Sequence, residues 1–131
     1  MKFARNIFAV AGFYGILITL PMYFSESSFN TDYPPAITHP EYFYGFISVT
    51  FAWQILFLFI AVNPFKYRLL MIPAMLEKLF YASAIFWLYA VHRVSFMTII
   101  FAAIDLVLLF FFLAAFVALR EKRFSDDEKI E

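Results

Sequence analysis

Four apolar runs separated by short polar stretches make up most of the chain. They extend from about Ile7 to Phe24, Tyr42 to Val62, Leu69 to Val91 and Phe96 to Leu119. Each holds roughly 18 to 24 residues, enough to cross a hydrocarbon core of about 30 Å as an α-helix. Strands of a membrane barrel would instead alternate in segments of about ten residues with turn signals between them, a period absent here. The breaks are those of helix ends. Ser25 to Pro40 is polar and contains prolines, Asn63-Pro64 stops the second run, and His92-Arg93-Val94-Ser95 reads as a tight hairpin. The pattern predicts an all-α protein, an integral membrane antiparallel four-helix bundle over residues 1–119. Residues 120–131 then form a charged cytoplasmic tail, a basic membrane-proximal anchor followed by acidic, solubilising residues.

Composition fixes the medium. The 131 residues are 64% hydrophobic and 23% aromatic, with 20 Phe, and the mean hydropathy is +0.79. A water-soluble chain of this length has no interior large enough to hide so much apolar surface. Ten basic and ten acidic residues cancel, so no broad basic face exists for nucleic acid. The absence of Cys removes disulfides, thiolate metal sites and thiol nucleophiles together.

Basic residues predict the orientation. Lys2 and Arg5 precede the first run, Lys66 and Arg68 lie in the second connection, and Arg120, Lys122, Arg123 and Lys129 follow the fourth, whereas the other side carries only Arg93. This bias places both termini in the cytoplasm. Tyr23, Tyr33, Tyr42, Tyr44 and Tyr89 then gather at the outer interface as an aromatic belt. A cleaved signal peptide is the rival reading of the first run, and the near full-span length and the lack of a small-residue cleavage pattern after Pro21 oppose it.

Small residues suggest where helices approach closely. Ala11, Gly15 and Thr19 recur every fourth position in the first run, and Gly45, Ser48 and Ala52 share a face of the second. In the third, Ala74, Glu77 and Ala84 are expected on one inward face, and in the fourth Thr98, Ala102 and Asp105 fall on one stripe.

The candidate chemistry lies in three ionisable residues within the apolar runs, Glu77, Lys78 and Asp105. Each costs roughly 2.5 to 3.5 kcal/mol at a helix centre, so the trio opposes insertion by about 8 to 10 kcal/mol before pairing or protonation. Counting 1.5 Å per residue places Glu77, Lys78 and Gln54 in one layer, roughly 12 Å from the cytoplasmic end. Asp105 falls near the midplane, at about the height of Tyr14, Thr50 and Ser83, and the Lys78 side chain can bridge most of the gap of about 5 to 9 Å between the two layers. One reading is harmless: Lys78 snorkels to the headgroups and Glu77 pairs with Arg68 or Arg120. The sharper reading is a buried polar pocket in which Asp105, Glu77, Lys78 and Gln54 bind a ligand or relay a proton, with Asp105 the strongest member because its short side chain at mid-depth cannot snorkel.

Other chemistry finds little footing. His39, His92 and Glu41 form a two-His-one-carboxylate set only if the outer loops meet, without any local ligand spacing, and the same edge positions do not suit haem. There is no GxSxG elbow or phosphate-cradling loop, and the chain has only three Gly. No metal and no cofactor are expected. Four spans without paired interrupted helices are few for a transporter.

The segment Asn63-Pro64-Phe65-Lys66-Tyr67-Arg68-Leu69-Leu70-Met71-Ile72-Pro73, continuing to Leu76-Glu77-Lys78, resembles small bacterial four-span proteins of the DoxX-like type. The resemblance covers about sixteen residues and implies the fold, an inner (plasma) membrane location, and a grouping of Lys66, Arg68, Glu77 and Lys78 as one structural unit. A fainter similarity to the four-span sterol-isomerase type rests on His39-Pro40-Glu41-Tyr42-Phe43 and Gln54, but Thr50 and Trp53 stand where that type carries an acidic residue.

The role expected is non-enzymatic: binding a lipid-like or apolar small molecule, or serving as accessory subunit of a membrane assembly. The expected partners are the lipid bilayer, such a ligand, and a membrane-protein partner or second copy of the chain, with no nucleic acid. The alternative is an enzyme using Asp105 or Glu77 as general acid-base on an isoprenoid, quinone or sterol-like substrate.

Overall fold

The computed structural model describes the backbone of residues 1–127 and the side chains of residues 1–119. Four long helices, α1 (Lys2–Met22), α3 (Pro40–Val62), α4 (Met71–Ala90) and α5 (Phe96–Asp127), are joined by a short α2 (Glu26–Asp32) and a 3₁₀ turn (Arg68–Leu70). Lys2–Met22, Pro40–Val62, Arg68–Ala90 and Phe96–Leu119 are each long and apolar enough to cross a membrane. The side chains expected to form the charged tail lie outside the described residues, while the α5 backbone continues to Asp127.

Local chemistry sets the ends. Asn63 is extended (φ −145°, ψ 84°), as the residue before a proline prefers, and α3 stops at Val62. The Asn63 side-chain oxygen then accepts the Lys66 N–H at 3.0 Å, closing the turn. At the far end of α4, the Arg93 N–H donates to the Leu88 carbonyl (2.9 Å) and the His92 N–H to the Tyr89 carbonyl (2.9 Å), with His92 left-handed at φ 57°. This is a Schellman cap, and it lets the chain reverse within the few residues before α5.

The helices pair as two antiparallel hairpins, α1 with α3 and α4 with α5, with α1 also lying along α5 and α3 barely touching α4. The end that carries both termini is solid. There Phe8 stacks on Phe112 at 4.0 Å between ring centroids, and Phe57 meets both rings edge-on at 6.2 and 5.2 Å. Ala4, Ala11, Ala74 and Ala115 fill the spaces between these rings, so all four long helices share this core. Toward the opposite end the bundle opens. Around its outside large side chains point away from it: Phe13, Leu17, Val49, Phe80, Trp87 and Phe110 are all exposed, an outer surface suited to lipid.

Two expected faces and one connection differ. Ala11, Gly15 and Thr19 are buried as expected, but Gly45, Ser48 and Ala52 are exposed, and α3 packs instead through Ile47, Gln54, Phe57 and Ile60. On α4 the buried stripe is Met71, Ala74, Lys78 and Ala82, whereas Ala84 is exposed and Glu77 sits at its margin. The Ser25–Pro40 segment, read as loop, contains α2. Seven residues are too few for hydropathy to reveal, and the ring contact between its Phe29 and Tyr33 just after it (centroids 5.4 Å apart) shows only when the spacing of four is read as a helical turn. Two tyrosines of the expected belt hold this end together: Tyr44 donates to Glu26 Oε2 at 2.7 Å and Tyr23 donates to Ser48 Oγ at 2.9 Å.

Candidate functional site

Above the aromatic core, the two hairpins enclose a cavity of about 720 Å³. Its floor is polar and its walls are mostly apolar. Asp105, Glu77, Lys78 and Gln54 all line it, joined by Tyr14, Thr50 and Tyr81; Phe29 of α2 and Tyr33 just after it line the far end, where Arg93 also lies.

Lys78 is the hub of the floor. It projects from the buried stripe of α4 and is only 5% exposed. Its Nζ lies 2.9 Å from Asp105 Oδ1 on α5 and 3.2 Å from Glu77 Oε2 on its own helix. The ammonium also stands 5.3 Å from the centroid of the Phe57 ring, where the solid core ends. The two layers counted along the helices are thus joined through this side chain. At an effective dielectric near 20, attraction across 2.9 Å is about 6 kcal/mol, while desolvating each ion costs several kcal/mol. The pair therefore roughly breaks even as a whole, and each member depends on the others.

The snorkelling reading fails on these positions. Lys78 turns inward to Asp105, not outward to headgroups. Arg68 does not meet Glu77; its Nε donates to the Phe116 carbonyl at 3.2 Å and its guanidinium stacks at 4.0 Å on the Phe116 ring. The Arg120 side chain lies outside the described residues. Nor do Lys66, Arg68, Glu77 and Lys78 form one cluster. Lys66 sits over the Tyr67 ring at 5.3 Å, and Arg68 and Lys78 are separated by about 15 Å of helix.

Gln54 reaches the floor from α3 because α1 carries no side chain opposite it. A Cβ on Gly15 would collide with the Gln54 amide, and the Thr19 hydroxyl donates to the Gly15 carbonyl at 2.6 Å, satisfying that oxygen within α1. The Gln54 Nε2 donates to the Thr50 carbonyl one turn earlier at 3.0 Å, which directs Oε1 toward Gly15. Glu77 contrasts with its neighbours. Its Oε2, although within ion-pair range of Lys78, is buried without a hydrogen-bond partner among the described residues.

Of the residues placed by depth beside Asp105, Tyr14 and Thr50 line the cavity, whereas Ser83 is exposed and donates to the Leu79 carbonyl at 2.7 Å. Tyr81, Phe101 and Phe46 were not singled out from sequence. Tyr81 lies four residues after Glu77 and Phe101 four before Asp105, so helical spacing from the two carboxylates finds both. No such signal marks Phe46, whose place against Tyr81 (centroids 6.2 Å apart) depends on how α3 meets α4. At the far rim His39 Nδ1 lies 3.3 Å from Glu41 Oε1, both exposed, and among the described residues no three His, Cys, Asp or Glu gather as a metal set.

No protein-family model, curated protein or solved structure matches this chain.

Proposed function

We propose that this chain is a multi-pass protein of the cytoplasmic (inner) membrane, with both termini inside, and that it binds a lipid-like or apolar small molecule in the cavity between its hairpins. The cavity itself carries this reading. It has the size of small-molecule sites, about 300 to 1,000 Å³, and the usual makeup of such sites, apolar walls with a few convergent polar groups. The orientation rests on the basic residues at the end that carries the termini. The suggested kinship with DoxX-like proteins rests on Asn63 to Lys78 alone.

The test is native mass spectrometry of protein released from membranes. Wild type is expected to carry a small-molecule adduct, and Thr98→Trp, which puts a large ring into the cavity, is expected to lose it while keeping its helical circular dichroism. A folded wild type with no adduct, or an adduct unaffected by Thr98→Trp, sinks the reading.

A second reading, acid-base chemistry on an isoprenoid, quinone or sterol-like substrate, has one observation in its favour: the cavity reaches both carboxylates. Glu77 is then the better candidate, because it lies farther from the Lys78 ammonium than Asp105 does, 3.2 against 2.9 Å, and its Oε2 has no hydrogen bond among the described residues. Its test is turnover of such substrates by wild type that vanishes in Glu77→Gln. An accessory-subunit role finds no comparable support in the cavity; crosslinking in native membranes that captures a stoichiometric partner would revive it.

A further inference from the structure

The cavity floor carries two carboxylates and one ammonium. One ammonium, Lys78, serves two carboxylates, at 2.9 Å from Asp105 Oδ1 and 3.2 Å from Glu77 Oε2. Glu77 Oε2 is buried and lacks a hydrogen bond among the described residues, while Gln54, its Nε2 donating to the Thr50 carbonyl, turns its Oε1 toward Gly15. The other cation of the cavity, Arg93, lies before α5, about 14 to 18 Å along the helix axis from Asp105. Charge along the cavity is therefore graded, positive at the far end and carboxylate-rich at the floor.

A ligand bringing a carboxylate, a phosphate or a bare carbonyl to this floor would set acceptor against acceptor. A ligand bringing N–H donors and positive charge balances the second carboxylate, and Tyr14 and Tyr81, which line the same cavity, offer ring faces that suit a cation. Access need not pass Arg93. The α3–α4 seam is loosely packed and is bridged near the cavity by Phe46 and Tyr81.

Resting on the ligand-binding reading above, we propose that the ligand is an amphiphilic amine whose alkylammonium group is held at the cavity floor by Glu77, with its apolar body among Phe46, Tyr81 and Phe101. The Lys78–Asp105 pair serves as a fixed counter-structure: it neutralises one carboxylate and leaves the other for the ligand.

The test compares three probes of equal chain length, dodecylammonium, dodecanol and dodecanoate, at neutral pH. Each is titrated into protein held in phosphatidylcholine nanodiscs, with unfolding temperature and native mass spectrometry as readouts and Thr98→Trp as the control for partition into lipid. Dodecylammonium is expected to bind saturably and at least about tenfold more tightly than dodecanol, the worth of one charge-assisted hydrogen bond, with dodecanoate weakest. Glu77→Gln, which keeps the shape and removes the charge, is expected to erase that preference. If dodecanol binds as tightly as dodecylammonium, or if Glu77→Gln retains the preference, the amine assignment is wrong while ligand binding stands. If none of the three binds wild type more than Thr98→Trp, the ligand-binding reading itself fails. The ammonium-to-alcohol ratio is read on wild type, so the test survives a Glu77 variant that does not fold.

Discussion

Lys78 holds a position that its two partners do not share. Removing it leaves two carboxylates facing each other in a low-dielectric interior, whereas removing the Asp105 charge leaves the ammonium with Glu77 still 3.2 Å away. Lys78→Met is therefore expected to destabilise the protein by about 3 to 5 kcal/mol, the usual cost of breaking a buried pair from one side. Asp105→Asn should cost clearly less, because its amide oxygen still accepts from the ammonium. Thermal unfolding in detergent gives the order, and a milder Lys78→Met would remove Lys78 from the centre of the network. The cost of charge in a membrane singles out these residues from sequence, and Asp105 stands out among them because it cannot snorkel. The long stem of Lys78 permits either direction, and only the proximity of α5 selects the inward one.

Among the helices, the three glycines separate close packing from its appearance. A Cβ at Gly15 meets the Gln54 side chain and one at Gly12 meets Leu58, but one at Gly45 meets nothing within 4 Å. Gly15→Ala is expected to cost about 1 to 3 kcal/mol through overpacking, with part of the loss restored in the double variant with Gln54→Ala. Gly45→Ala should be neutral or stabilising by up to about 1 kcal/mol, the gain in helix propensity. Equal losses at both sites in a thermal unfolding series would contradict the packing. The short helix α2 depends on polar contacts more than on burial, for none of its residues is buried. Tyr44→Phe, which deletes the 2.7 Å hydrogen bond to Glu26, should speed amide hydrogen exchange across Glu26–Asp32 and leave the exchange of α1 unchanged. Equal exchange in both proteins would show that Phe29 and Tyr33 alone hold α2 in place.

In the molecule as a whole, a solid half and a hollow half divide the work. The Phe8, Phe57 and Phe112 core ties all four long helices together at one end, which frees the other end to part around a cavity. The absence of cysteine makes the proposed orientation directly measurable, since single cysteines can be added without competing thiols. A membrane-impermeant maleimide is expected to label Ser27→Cys on intact cells and Lys66→Cys only after permeabilisation. The reverse pattern would invert the protein in its membrane.

The number of long helices and their approximate places follow from sequence alone, because hydropathy is a local sum and about 20 apolar residues have few other destinations. So do the residues whose burial demands explanation. Which face each helix turns inward was legible only where a polar or small residue marked it, as at Gly15 and Asp105. Spans apolar on every side present no periodic contrast, because lipid tails are as apolar as a protein core. The exposed Gly45–Ser48–Ala52 strip shows how that symmetry misleads. The meeting of Lys78 with Asp105, the placing of α2 over the bundle and the cavity between the hairpins join residues far apart in the chain, and the packing of one helix on another decided them.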